Sequence, residues 1–178
     1  FGTIAMASHQ IAISLASSTF MIAVGIAQAT TILVGRAVGS KNISMARRFA
    51  GAGLLNVSVV MATTGLIFFF LPEFMAELYT DDLSVIALAT TLIPIAGIFQ
   101  IVDGLQAVTS GILRGIGDTL IPMAINLIGF WLIGLPISAY LGFGLDMASA
   151  GLWWGMVVAL AVVCSCLLLR FKGHFLRD

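Results

Sequence analysis

Residues 83–113 read LSVIALATTLIPIAGIFQIVDGLQAVTSGIL. One position in this stretch is charged, Asp103, and the run before it, 83–102, carries no charge at all. A helix needs about 20 predominantly apolar residues to cross the hydrocarbon core of a bilayer. The stretch is long enough, so the reading of the chain turns on whether its neighbours are alike. They are: residues 1–35, 49–72, 119–145 and 147–169 are also free of charge when His9 is counted as neutral. Five transmembrane helices are predicted, at about 9–34, 49–71, 83–113, 120–141 and 149–170. The fold class is an all-α polytopic bundle, with residues 1–178 forming one membrane domain. Segments of about ten residues that alternate between polar and apolar, the mark of a membrane β-barrel, are absent from the sequence.

Composition leads to the same class. Of the 178 residues, 60% are hydrophobic and 9% charged, whereas a soluble domain averages about a quarter charged. So few charges cannot cover a water-facing surface. Eight Lys and Arg balance eight Asp and Glu, which argues against a nucleic-acid partner. Cys164 and Cys166 point to different sides of a helix, so neither a disulfide nor a metal knuckle is expected.

The punctuation agrees with the spans. Pro72 closes the second run, and Thr80, Asp81 and Asp82 offer N-cap oxygens to the third. Asp118 and Thr119 do the same for the fourth, with Pro122 in its first turn, where a missing N–H costs little. Gly142 and Gly144 end that helix. Pro94 and Pro136 fall inside spans and are expected to kink them where neighbours satisfy the freed carbonyls.

Charge is sided. Arg36, Lys41, Arg47 and Arg48 lie between the first and second spans, Arg114 between the third and fourth, and Arg170, Lys172 and Arg177 after the fifth. With five crossings all eight fall on one face, which the positive-inside rule makes cytoplasmic. Glu73, Glu77, Asp81, Asp82 and Asp146 occupy the two opposite loops. The N-terminus of this chain is thus expected outside and its C-terminus inside. An odd number of spans beginning at Phe1 leads us to expect a longer protein, and many transporters are built from two repeated halves.

Asp103 is the first candidate for function. An aspartate at mid-helix costs roughly 2.5–3.5 kcal/mol to insert and marks an ion or substrate path. Gln100 and Gln106 stand three residues to either side and Ser110 seven on, a polar stripe on one helical face, with Phe99 beside it. A carboxylate there can exchange a proton or Na⁺ for a substrate, because desolvation favours its neutral form and a bound cation its charged one. The alternative is a protonated structural acid bonded to a neighbouring helix. The first span is rich in hydroxyls, including Ser14, Ser17, Ser18, Thr19, Thr30 and Thr31, which suit close helix packing; Gln28 is a candidate for lining a cavity. Arg36 and Arg114 are read as snorkelling anchors at the membrane boundary, and His9 as an interfacial or packed histidine. Trp131, Trp153 and Trp154 belong to interfacial belts or packing. Gly35/Gly39, Gly111/Gly115 and Gly151/Gly155 match the small-residue spacing of close helix contacts. No GxSxG, HExxH or phosphate loop is present, so no enzyme is expected and no cofactor.

Several segments together resemble the MATE (multidrug and toxic compound extrusion) family. They are Ala7-Ser8-His9-Gln10-Ile11, Val34-Gly35-Arg36-Ala37-Val38-Gly39 with Ala46-Arg47, Phe99 to Gln106, Gly111 to Pro122, and Gly151-Leu152-Trp153-Trp154-Gly155. They run in family order along the chain. The resemblance implies helices eight to twelve of a twelve-helix, two-lobe transporter, so that the N-terminal lobe and the first helix of this lobe belong to a longer form of the same chain. It also implies efflux of cationic, amphipathic or aromatic drugs in exchange for entering Na⁺ or H⁺. Asp103 stands where the family's tenth-helix acid helps bind the coupling cation, which makes it the implied Na⁺ contact. Phe99 stands where some Na⁺-driven members have a tyrosine, and the partner glutamate belongs to the seventh helix. The lipid bilayer and, in location, a bacterial or archaeal inner membrane follow as expectations. The rivals are a flippase for lipid-linked oligosaccharide or lipid II in the same superfamily, which calls for basic residues inside the spans, and a truncated membrane fragment that does not transport. An intramembrane enzyme and a channel have weaker support.

Overall fold

The computed structural model describes residues 2–144 and 148–175. Asp146 and Arg177, assigned above to the outer loop and the C-terminal tail, lie outside the described residues. The helices are α1 (Thr3–Gly39), α2 (Ile43–Phe70), α3 (Pro72–Glu77), α4 (Leu83–Gly115), α5 (Leu120–Gly144) and α6 (Ala148–Phe175). No strand occurs among the described residues. All but α3 are long and apolar enough to cross a bilayer. The five spans are the five expected, but α1, α2, α5 and α6 run several residues further at one or both ends and α4 two residues further at its C-terminal end. The short α3 was not anticipated. Pro72, which ends the second span, also starts this helix, because proline at a first helical turn sacrifices no hydrogen bond.

Local chemistry sets the ends. Asn42 Oδ1 accepts from the Met45 N–H at 3.0 Å, and Asp82 Oδ1 from the Ser84 N–H at 2.8 Å, each satisfying a free donor in the first turn of a helix. Between α4 and α5 the chain turns through Gly117 at φ +86°, a left-handed conformation suited to glycine. Asp118 does not cap α5 as expected. Its carboxylate instead accepts from Arg170 Nε at 2.9 Å and lies 3.0 Å from His174 Nε2, both on α6.

The core is built on α1 and α4, which run in the same direction in constant register. Ser8 Oγ donates to Val85 O at 3.0 Å, Thr19 bonds Gln100, and Thr31 Oγ1 donates to Gly111 O at 3.0 Å. The sequence offset between partners stays at 77–81 over the whole contact. Glycine permits this approach: a Cβ on Gly115 would meet Thr31 O at 2.8 Å, and one on Gly111 would meet Ala27 O at 2.9 Å. α2 packs antiparallel on the same pair, Gly65 facing Gly97 and Met61 facing Gly104. α6 closes the other side, with Trp153 and Val157 on Leu92 and Ala96, and Val163 and Leu167 on Leu113. Of the paired glycines, Gly39 has no neighbour where a Cβ would point, whereas Gly151 and Gly155 meet Leu141 and Ser138 of α5 within 2.6 Å.

α5 is wound differently. Two π-turns, Gly129–Gly134 and Tyr140–Gly144, flank the α-helical segment Leu135–Ala139 that contains Pro136. The expected interruption at Pro136 takes this form, since proline has no N–H for the α-helical pattern. The α-helix runs unbroken through Pro94.

Candidate functional site

Asp103 lies twenty residues into α4 and is half-buried. It is the only acidic side chain inside a long helix among the described residues, and no hydrogen bond or ion pair to its carboxyl is found among them. Its two amide neighbours are engaged. Gln100 is 1% exposed and joins three helices, accepting from Thr19 of α1 and donating from Nε2 to Thr64 Oγ1 of α2 at 3.0 Å. Gln106 Nε2 donates to Asn126 Oδ1 of α5. Asp103 therefore sits between two interhelical pins, with its own oxygens unclaimed.

The stripe expected around Asp103 divides. Phe99 turns its ring edge-on to Trp153, with centroids 5.6 Å apart at 87°, and His9 packs on the same indole at 5.7 Å. Gln100 is a packing residue of the helix interior and lines none of the cavities described below. Gln28, Gln106 and Ser110 do come together, with Asn126 and Arg114, around a cavity of about 340 Å³ between α1, α4 and α5. Phe20 and Val24 form its apolar wall. Arg114 is exposed at the end of α4 but lines this cavity, so it does more than the boundary anchoring expected of it. Asn126 was not singled out from the sequence; the signal was a lone amide seven residues into an otherwise apolar span. A second groove of about 370 Å³, lined by His9, Phe130, Trp131, Ser138 and Met156, is almost wholly apolar.

Among the described residues two buried side-chain polar atoms have no hydrogen-bond partner: Ser110 Oγ, on the polar cavity, and Trp153 Nε1, inside the aromatic cluster. Among the described residues no three His, Cys, Asp or Glu side chains gather as a metal site. Asp103 and its neighbours offer a single carboxylate, enough to hold a proton or to supply one charged ligand to a cation. Outside the spans, Asp118 is held below the ordinary carboxylate range. Partial burial alone would raise it, but the hydrogen bonds and positive charge of Arg170 and His174 prevail.

Five bilayer-length helices, with one carboxylate in the interior of a span and a polar cavity beside it, define an integral membrane protein of the polytopic helical class. The chain belongs to the MatE family, whose model matches residues 1–140. It is 41% identical over 172 residues to a probable multidrug resistance protein NorM of Xylella fastidiosa, covering 97% of this chain and 37% of that protein. Against the multidrug resistance protein NorM of Burkholderia vietnamiensis the identity is 40% over 176 residues, covering 96% and 38%. The crystal structure of the eukaryotic MATE transporter AtDTX14 superposes with a TM-score of 0.89 at 26% identity, over 94% of this chain and 38% of that one. The chain thus spans less than two fifths of the length of the relatives it matches.

Proposed function

We propose that this chain is the five-helix part, helices eight to twelve, of a secondary multidrug exporter in a bacterial inner membrane, in which Asp103 couples efflux to the entry of Na⁺ or H⁺. The observation that carries the reading is Asp103 itself, an acid in the interior of a span with no protein partner claiming its oxygens. Such a group is costly to insert and is retained where it binds something. The relatives are named as multidrug resistance proteins, which supports drugs as the exported class; cationic or aromatic drugs are the ones the resemblance implies. The end of the bundle bearing Arg36, Lys41, Arg47, Arg48, Arg114, Arg170 and Lys172 faces the cytoplasm by the positive-inside rule. Coupling works by differential affinity: a cation on Asp103 stabilises one of two conformations, and drug binding favours the other. Phe99 brings no hydroxyl to Asp103, so further oxygen ligands for Na⁺ must come from elsewhere in the protein.

The test is export by a full-length transporter that contains this chain. Asp103→Asn keeps the size of the side chain and removes its charge. Export of a cationic dye into an imposed Na⁺ or H⁺ gradient should collapse while the amount of protein in the membrane stays unchanged. Normal export by the variant overturns the assignment.

A further inference from the structure

We propose that the cavity between α1, α4 and α5 binds an amphipathic anion, its carboxylate or phosphate on Arg114 and its apolar body against Val24 and Phe20. The proposal does not rest on the antiport reading, because its anchor is Arg114 and Asp103 is not among the residues that line the cavity, although the deep apolar wall reaches the level of Asp103. Arg114 and Asp103 are separated by eleven positions on one helix, about 16 Å along its axis.

The lining is graded along the bundle. Arg114 stands at the mouth, one residue from the end of α4. Ser110 is one turn deeper, about 6 Å, and Gln106 about 12 Å. The constant register of α1 on α4 places Gln28 between those two, Val24 about 15 Å down and Phe20 deeper still. A positive charge, then hydroxyl and amide groups, then an apolar wall is the complement of a molecule with an anionic head and an apolar body. Among the described residues the lining of the cavity has no acidic side chain, and Arg114 is its one formal charge.

The hydrogen-bonding state of the lining points the same way. Ser110 Oγ is buried without a partner, and a native structure seldom leaves such an atom unused. Arg114 forms no ion pair among the described residues. Gln106 and Asn126, in contrast, are bonded to each other, and Asn126 Nδ2 to Pro122 O at 2.8 Å, which fixes their side of the wall in advance. A guanidinium recognises carboxylate and phosphate in the same two-pronged geometry. The ligand is therefore either a soluble aryl or alkyl acid or the headgroup of an anionic lipid whose chain follows the apolar wall. About 340 Å³ falls within the range of small-molecule sites.

The experiment uses a full-length transporter that contains this chain, in nanodiscs of neutral phosphatidylcholine. Two fluorescent probes share a ring and differ in charge, naphthoate and naphthylmethylamine. Naphthoate binding should depend on Arg114, and any binding of the amine at the drug or cation site should not. Arg114→Gln should weaken naphthoate about tenfold or more, the loss of one charge-assisted contact. Arg114→Lys, which keeps the charge and guards against a folding defect, should weaken it less. Ser110→Ala should weaken it about fivefold. Arg36→Gln, at the same end of the bundle on an exposed site, should leave it unchanged. Native mass spectrometry after adding phosphatidylglycerol separates the sources: lipid retained by the native chain and lost by Arg114→Gln assigns the site to a headgroup. Naphthoate binding without lipid retention assigns it to a soluble acid. The proposal falls if Arg114→Gln weakens the amine as much as naphthoate, if Arg36→Gln and Arg114→Gln weaken naphthoate equally, or if neither naphthoate nor lipid is held.

Discussion

α4 and α5 are nearly matched in apolar character and each is long enough to span a bilayer, yet they occupy opposite situations. Half of the most apolar stretch of α4 is buried inside the protein, against 17% for α5. α4 touches α1, α2 and α6 along its length and carries fully buried Leu92, Ile93, Ile112 and Leu113. α5 leans on α6 and leaves Leu127, Trp131, Leu132 and Tyr140 more than half exposed. In a bilayer the lipid is as apolar as leucine, so hydrophobicity does not decide which helix becomes the centre. Small residues and interhelical hydrogen bonds decide it. α4 supplies Gly97, Gly104, Gly111 and Gly115 as contact points together with Gln100; α5 supplies Asn126 and the two glycines that begin and end its first π-turn.

Six substitutions, grouped in four tests, probe this contrast. The largest effect is expected at Gly115→Val, whose first added carbon would lie 2.8 Å from the Thr31 carbonyl oxygen. Separating α1 from α4 should cost about 2–3 kcal/mol in reversible unfolding in mixed micelles. Gly25→Ala, with nothing within 4 Å, should cost nothing. Next comes a pair of leucines. Leu92→Ala opens a cavity in a site with 0% exposure and should cost about 2 kcal/mol, whereas Leu132→Ala, 70% exposed, should cost less than about 0.5 kcal/mol. Equal losses at the two would mean that α5 is as central as α4.

A smaller change is expected at Gln100→Leu. Thr19 and Thr64 keep their hydroxyl bonds to the Ala16 and Val60 carbonyls one turn back, so removing the amide strands neither hydroxyl, and the loss should be about 1 kcal/mol by the same assay. A loss several times larger would show that the amide does more than join helices. The smallest effect belongs to Asp118. Its folded pKa lies below the unfolded one, so the stabilisation is present at neutral pH and is lost as pH falls through the folded value, below about 3.9. Arg170 and His174 are each more than a third exposed, which keeps the contribution under about 1 kcal/mol. Asp118→Asn should lower the melting temperature slightly at pH 7 and by less at pH 3. A gap that widens in acid contradicts the assignment.

The spans were legible because they rest on length and charge, which are properties of single segments. The runs between Arg36, Arg48, Asp82, Arg114 and Asp118 mark helices whatever they pack against. The candidate site was legible only in part. Spacing alone places Phe99, Gln100, Asp103, Gln106 and Ser110 on one face of α4, but not which neighbour meets each. The register of α1 gave Gln100 to Thr19, Trp153 took Phe99, and the cavity gathered the rest with Gln28. Asn126 and the role of Arg114 depend on α5 arriving beside α4, and Asp118 on α6 reaching its loop. Such pairings are set by tertiary contact and leave no local pattern.

The π-turns of α5 carry one further consequence. A π-turn holds one residue more than the α-turn it replaces. Rewinding a single one as α would advance everything beyond it by one residue, rotating the remaining side chains about 100° and shifting them about 1.5 Å along the axis. The far half of α5 can therefore be geared against its near half without unravelling, exchanging Trp131-type faces for their neighbours. Gln106 and Asn126, on the near side of both turns, would hold still while it happened.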